Sequence, residues 1–221
     1  MHAAVLTSTD APPAYGTYQE PVASGDHELV VEVLAAGLHH LTRAKATGAH
    51  YSDSATLPLV PGVDGVVRDP SGRLRYAVLD DTTVGTFAER TVIDVRRSVV
   101  LPDGVDPVQV AAAMNPGMSS WLALRRRILF APGSSVLVIG ATGNSGRMAV
   151  QVARLLGAAH VVAAGRDATR LAALPALGAD ETCTFAEIDR AADVDVVLDY
   201  VWGEPAADAM IAMLTARSDR S

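Results

Sequence analysis

The stretch that most constrains the fold is residues 134–157, Ser-Ser-Val-Leu-Val-Ile-Gly-Ala-Thr-Gly-Asn-Ser-Gly-Arg-Met-Ala-Val-Gln-Val-Ala-Arg-Leu-Leu-Gly. Residues 136–139 form an apolar run with the length and β-branched content of a buried parallel strand. The run stops at Gly140, and the segment beyond it carries Met148, Val150, Val152, Leu155 and Leu156, partly on helical spacing. Between the two lies Ala141-Thr142-Gly143-Asn144-Ser145-Gly146, the dinucleotide fingerprint G-x-G-x-x-G with Ala in place of its first glycine. Small residues are required there because backbone N–H groups must approach a pyrophosphate at a helix N-terminus. Gly143 removes the Cβ that would block the phosphate, and Gly146 lets the helix pack close to the strand. Glycines alone are weak evidence, since tight strand-to-helix turns favour them anyway. Here strand, loop, helix and second strand follow in the right order, so residues 141–146 are predicted to bind a dinucleotide.

The chain has 221 residues, 49% of them hydrophobic, and a net charge of -7, enough for one large domain or two small ones. Acidity without a basic stripe argues against a nucleic-acid partner. The run Arg125-Arg126-Arg127 reads as the solvated end of a helix. No apolar stretch reaches the roughly 20 residues that span a bilayer, so no membrane partner is expected. The N-terminus shows neither a charged leader nor a cleavage pattern. Cys183, the only cysteine, excludes an internal disulfide and any multi-cysteine zinc site. These features predict a cytoplasmic protein.

Residues 1 to about 115 read mostly as short strands and turns. Strands are predicted over 2–6 and 28–34, and two further halves over 83–93 around Gly85 or Thr86. Pro12-Pro13, Pro21, Gly37, Gly48, Pro58, Pro61-Gly62, Gly65 and Gly72 punctuate the segment as turns do. Pro102-Asp103-Gly104 is a turn, and residues 107–114 start a helix with Asp106 as N-cap. Residues 121–129 extend a helix toward the breaker Pro132-Gly133. Beyond the fingerprint the pattern becomes α/β: strand two at 159–164, a helix over 168–177 ended by Gly178, strand three at 181–185, and a short helix. Strand four at 194–199 and a helix over 206–214 follow, then a polar tail.

The order of a β-rich module followed by Pro132-Gly-Ser-Ser-Val-Leu-Val-Ile-Gly-Ala-Thr-Gly resembles the medium-chain dehydrogenases/reductases. The similarity is closest to their zinc-independent quinone oxidoreductase branch. Supporting stretches are Val33-Leu-Ala-Ala-Gly-Leu, Leu59-Val-Pro-Gly-Val-Asp-Gly, Ala111-Ala-Ala-Met-Asn-Pro-Gly-Met-Ser-Ser-Trp and Val196-Val-Leu-Asp-Tyr-Val-Trp-Gly. The resemblance implies an α/β chain with a GroES-like β-rich catalytic domain over residues 1–117. An incomplete Rossmann dinucleotide-binding domain follows over residues 118–221, with substrate between the modules. Zinc-dependent relatives place their ligands at the positions of His39, Val63 and Asn115. Only one of these three binds metal well, whereas catalytic zinc needs three protein ligands, so no metal is expected. The pair His39-His40 would point to opposite faces of a strand.

Cofactor choice is read at the end of strand two. NAD-binding domains carry an acidic residue there, hydrogen-bonded to the ribose 2′-OH. This chain has Gly165-Arg166, with Arg170 one helical turn on, and a guanidinium suits a 2′-phosphate. NADPH is therefore expected over NADH. Asp167, read as a helix N-cap, is near enough to leave NADH open. Tyr200 and Val201, after strand four, complete the expected cofactor-binding set. For catalysis, Asn115 and Ser119 match the family's small polar groups near the nicotinamide. His39, His40 and Tyr51 lie in or just beyond the segment lining the cleft, and His39, Tyr51, Asn115 and Ser119 are the catalytic candidates. The branch commonly has Asn and Asp where this chain has His39 and Thr42, and Tyr where it has Ala44.

The resemblance thus implies an NADPH-dependent reductase of a quinone or α,β-unsaturated carbonyl, working without zinc; a homodimer is left open. The alternative is a non-catalytic NADP(H)-binding redox sensor or structural protein, NmrA-like or crystallin-like. Only four strands of a doubly wound sheet can be assigned, and strand four is too apolar for a natural edge. The sequence is therefore expected to be a fragment of a longer chain of about 300 residues or more, or to receive its missing edge from a partner.

Overall fold

A valine-rich run interrupted by Glu32 builds the strand over residues 28–36 that the N-terminal part is assembled on. The computed structural model describes residues 1–47, 56–79 and 82–218. The chain divides into two compact units, Met1–Asn115 and Pro116–Ser221.

In the first unit, β1 (His2–Val5) pairs antiparallel with β2 (Ala14–Thr17). A five-stranded antiparallel sheet contains β3 (Glu28–Ala36), β4 (Asp64–Arg68), β5 (Leu74–Val78), β6 (Arg90–Asp94) and β7 (Ser98–Val100), in the order β6-β3-β4-β5-β7. Successive side chains point to opposite faces. Val67 therefore packs with Val31, Ala77 and Ile93, while Val66 packs with Tyr76 and Ala111 on the other face. The β3–β4 register shifts between Val33 and Ala35, so that Ala36 faces Gly65 and the chain leaves β3 beside the start of β4. Helix α1 (His40–Ala46) follows at once.

Several expectations for this unit are corrected. Gly65 is not a turn residue but lies inside β4, where a Cβ would come within 2.5 Å of the Ala35 carbonyl oxygen. Strand pairing thus demands glycine there for close backbone approach. Of the two strands expected over 83–93 only β6 forms; Val84 and Ala88 make isolated bridges to Val60 and Ala3. His39 and His40 are not strand neighbours. His39 is extended (φ -140°, ψ -178°) and serves as the N-cap of α1, and His40 is the first helical residue.

Helix α2 (Pro107–Leu122) begins as expected, with the Asp106 carboxylate accepting from the Val108 and Gln109 amides at 2.8 and 3.3 Å. Proline at its first position has no N–H to waste. The expected extension over 121–129 is only partly helical: α2 ends at Leu122, and a single wider turn covers Ala123–Arg127.

The second unit is a parallel sheet of β8 (Ser135–Ile139), β9 (His160–Gly165), β10 (Glu181–Thr184) and β11 (Val196–Asp199), ordered β10-β9-β8-β11. In units of sequence order this is 3-2-1-4, the arrangement expected of a dinucleotide-binding sheet, with its switch point between β8 and β11. Residues 136–139 are at most 1% exposed. Val136 and Val138 pack with Ala149, Val150 and Ala153 of α3 (Asn144–Leu155). Leu137 and Ile139 pack on the opposite side with Cys183, Ile188 and Ala209. Burial on both faces explains why the strand reads as a continuous apolar run. The helix expected over 168–177 is broken. Helix α4 spans only Ala168–Leu171, and Pro175, which cannot donate an N–H, restarts a 3-10 turn at Pro175–Leu177. Gly178, at φ +108°, ends it. Helix α5 (Glu204–Ser218) follows β11. No described helix is long and apolar enough to cross a membrane.

Candidate functional site

The loop between β8 and α3 is shaped by backbone contacts. Gly140 has φ +81°, a region closed to most L-residues. The amides of Gly140 and Ala141 both donate to the Ala164 carbonyl of β9 at 2.9 Å. Gly143 donates to the Gly140 carbonyl at 3.1 Å and caps α3 with extended geometry. The two later glycines differ in what they are for. A Cβ on Gly146 would fall 2.3 Å from the Gly140 oxygen and 2.6 Å from the Ala141 Cα. A Cβ on Gly143 would meet only the Gly140 oxygen, at an ordinary 3.6 Å. Gly146 is therefore required by the fold, whereas Gly143 leaves open space over the helix end. No side chain caps α3. The amides of Asn144, Ser145 and Gly146, in its first turn, have no carbonyl one turn back to bond, and they add to the positive end of the helix dipole. Residues 141–146 thus fit a bound pyrophosphate.

Gly165, at the end of β9, sits against this loop, where a Cβ would lie 3.0 Å from the Thr142 methyl. Arg166 is exposed and, among the described residues, pairs with no acidic side chain. Asp167 is spent as the N-cap of α4, accepting from the Thr169 and Arg170 amides at 2.9 and 3.2 Å. Arg170 Nε lies 3.6 Å from the same carboxylate. After β11, the Tyr200 amide donates to the Ile139 carbonyl at 3.0 Å. Val201 packs so tightly on Gly140 that a Cβ there would come within 2.7 Å of its Cγ2. The Asp199 carboxylate accepts from the Val201 and Trp202 amides, holding Trp202 at φ +62°. Ser119 Oγ lies 3.2 Å from the Tyr200 hydroxyl. One catalytic candidate and one cofactor candidate, 81 residues apart, are thereby joined.

His39 belongs to the first unit and has a partner the sequence did not suggest. Its Nε2 lies 2.7 Å from Asp64 Oδ1, and Tyr76 donates its hydroxyl to Asp64 Oδ2 at 2.6 Å. Asp64 is 1% exposed, and the His39 side chain 15%. The β4–β5 register places Val66 opposite Tyr76 and Asp64 opposite Val78, so Asp64 and Tyr76 are diagonal neighbours on one face. Gly37 makes room for the carboxylate, since a Cβ there would fall 2.4 Å from Asp64 Oδ1. The Asp64 carbonyl accepts from the Gly37 amide at 3.0 Å and from Thr86 Oγ1 at 2.9 Å. Burial, together with the Asp64 carboxylate, pushes the Tyr76 phenol well above its ordinary pKa, so it remains a donor.

The sequence reading marks neither Asp64 nor Tyr76. The available signal was a lone carboxylate inside the otherwise apolar stretch 59–67. Of the remaining candidates, Asn115 is half-buried in α2, and Tyr51 lies outside the described residues. Val63, in one of the three ligand positions, is a buried side chain that offers a metal nothing. A largely apolar cavity of about 370 Å³, walled in part by Leu38, Thr42, Arg43, Pro61 and Phe87, lies in the same unit. His39 is not among its walls.

No family model matches the chain. It is 32% identical to a probable NADPH-dependent quinone reductase, tdiC, of Emericella nidulans, in an alignment of 251 positions covering 95% of this chain and 70% of that protein. It is 30% identical to the quinone oxidoreductase of Homo sapiens over 197 positions, covering 86% of this chain and 58% of that one. Among solved structures, it superposes on the quinone oxidoreductase of Thermus thermophilus, also solved in complex with NADPH, with a TM-score of 0.84 and 33% identity. That match covers 96% of this chain and 70% of the other.

Proposed function

The chain belongs to the quinone oxidoreductases of the medium-chain dehydrogenase/reductase superfamily, and on that premise we propose that it reduces a quinone or an α,β-unsaturated carbonyl with NADPH, without a metal. Its β-rich unit corresponds to the GroES-like module of that fold and its parallel sheet to the Rossmann-like one. When bound, the reduced nicotinamide would supply a hydride.

The chain's own residues do the rest. The α3 N-terminus and the space over Gly143 hold the pyrophosphate. Arg166 offers a planar donor fork to a 2′-phosphate. Asp167 Oδ1 accepts two amides as the cap of α4, so the residue that directly follows Gly165 at the strand end is Arg166 and not an acid. That end of β9 is the observation that carries the preference for NADPH. His39, Tyr51, Asn115 and Ser119 are the proposed substrate-side residues, which bind and orient the acceptor or supply a proton. Support for a metal-free reaction comes from Val63 and Asn115 in two of the three ligand positions, where catalytic zinc needs three protein ligands. Elemental analysis checks it: one zinc per chain surviving chelator would overturn it.

The deciding experiment follows NADPH oxidation with simple quinones and enones, alongside titration of NADPH and NADH into wild type and Arg166→Ala. The wild type is expected to prefer NADPH. The substitution should cost roughly 1.5–3 kcal/mol of NADPH affinity, the worth of one charge-assisted bond, and leave NADH binding unchanged. Equal affinities in the wild type would sink the preference. Binding without turnover would return the redox-sensor reading.

A further inference from the structure

Reduction of a quinone or enone by hydride needs one proton as well, and the chain Tyr76–Asp64–His39 has the form of a device for delivering it. This inference rests on the reading above and names its proton donor. A buried carboxylate with no cationic partner is costly unless its oxygens are occupied by donors. Here Oδ2 is occupied by the Tyr76 hydroxyl and Oδ1 by a ring nitrogen of His39. A carboxylate only accepts, so the nitrogen facing it, Nε2, carries a hydrogen in both the neutral and the cationic ring. The proton that comes and goes is therefore on Nδ1, which no group bonds among the described residues. The His39 side chain is largely but not fully covered. Close neighbours then hold Asp64 in place. Gly37 closes on Oδ1, and the Asp64 carbonyl is held from two sides. Such an arrangement fixes the tautomer and orientation of the ring, as a buried carboxylate behind a histidine does elsewhere.

We propose that His39 donates the proton of the reduction from Nδ1, and that Asp64, itself held by Tyr76, is the positioning residue behind it. In the balanced step the acceptor gains a hydride from the reduced nicotinamide, which becomes oxidised nicotinamide. The oxygen of the resulting quinol or enol gains the Nδ1 proton. His39 is left as neutral imidazole with its Nε2 hydrogen still on Asp64, and water restores the proton.

The test has two parts, the first independent of turnover. Nitrogen-15 spectra of the protein without cofactor should show neutral His39 protonated on Nε2 in wild type, and a mixture of tautomers in Asp64→Asn. An Nδ1-protonated wild type would overturn the proposal. In the second part, His39→Ala should lower kcat at least about 100-fold, leave the NADPH KM within about threefold, and regain part of the rate with added imidazole. Asp64→Asn should lower kcat about 10-fold or more, yet add nothing further in the double variant with His39→Ala, because both act through one proton. Additive losses would make Asp64 merely structural and overturn its role. Should Asp64→Asn fail to fold, the nearly isosteric Tyr76→Phe replaces it, with a smaller kcat loss of about threefold and the same non-additivity. A wild type that turns over with unchanged kcat in His39→Ala overturns this inference alone. A wild type that oxidises no NADPH overturns the function beneath it as well.

Discussion

The two units hold their candidate residues by different means. In the parallel-sheet unit the phosphate loop is placed by backbone: a glycine at positive φ, two amides on one carbonyl of β9, and a helix end left uncapped. In the antiparallel unit the polar chain is placed by side chains that meet across the sheet, His39 with Asp64 at 25 residues' separation and Asp64 with Tyr76 at 12. The first arrangement tolerates almost any side chain that leaves the backbone free. The second fails if one partner changes. A steric backbone site can be read from local sequence, and a side-chain relay cannot.

The largest expected effect tests the backbone half of this contrast. Gly146→Ala pushes a methyl into the Gly140 carbonyl and the Ala141 backbone, which cannot move aside as a flexible side chain would. A loss of about 3 kcal/mol is expected, the upper end of overpacking penalties, together with loss of NADPH binding. Thermal unfolding with an unchanged midpoint would show that the loop is not sterically determined.

A somewhat smaller effect comes from a control inside the antiparallel unit. Asp69, just beyond β4, is also buried, but its oxygens accept from Ser71, Arg73 and Arg75. Burial alone would raise its pKa, yet these bonds outweigh it and hold the carboxyl well below the usual aspartate range. Because the folded pKa is depressed, the stabilisation is fully present above the unfolded value near 3.9 and is lost as pH falls through the lower folded value. Asp69→Ala should cost about 2 kcal/mol at neutral pH. The gap to wild type should stay constant from pH 7 to 5 and close in stronger acid; activity, corrected for unfolded protein, should not change. An activity loss as deep as that of Asp64→Asn would erase the distinction between a carboxylate that clasps a turn and one that backs a histidine.

Smallest is Gly143→Ala, whose Cβ meets only ordinary contacts. The unfolding midpoint should stay within about 2 °C while NADPH affinity drops about tenfold, or ~1.4 kcal/mol. Equal damage to fold and affinity would mean that the two glycines share one role.

How much was legible follows the same division. The strand over 136–139, the loop and the caps Asp106 and Asp167 were all within reach, because each depends on residues within a few positions of one another, whereas the 3-2-1-4 order followed from the resemblance to a doubly wound sheet. The periodicity over 168–177 predicts one helix, but Pro175, lacking an N–H, divides it into α4 and a separate turn. β2, β4, β5 and β7 were passed over because they are short, and glycine inside β4 looks like a turn until β3 is seen lying against it.

By itself the sequence determined a dinucleotide-type loop, since glycine and proline act on the chain's own backbone wherever it goes. It also determined a guanidinium in place of the expected acid at the end of strand two. Only the tertiary structure decided that His39 opens a helix, that Ser119 meets Tyr200, and that Asp64 joins His39 to Tyr76. Those meetings depend on the register of β4 against β3 and β5 and on the path of the chain between distant elements. A shift of one residue would turn Asp64 to the other face, and no local pattern specifies that register.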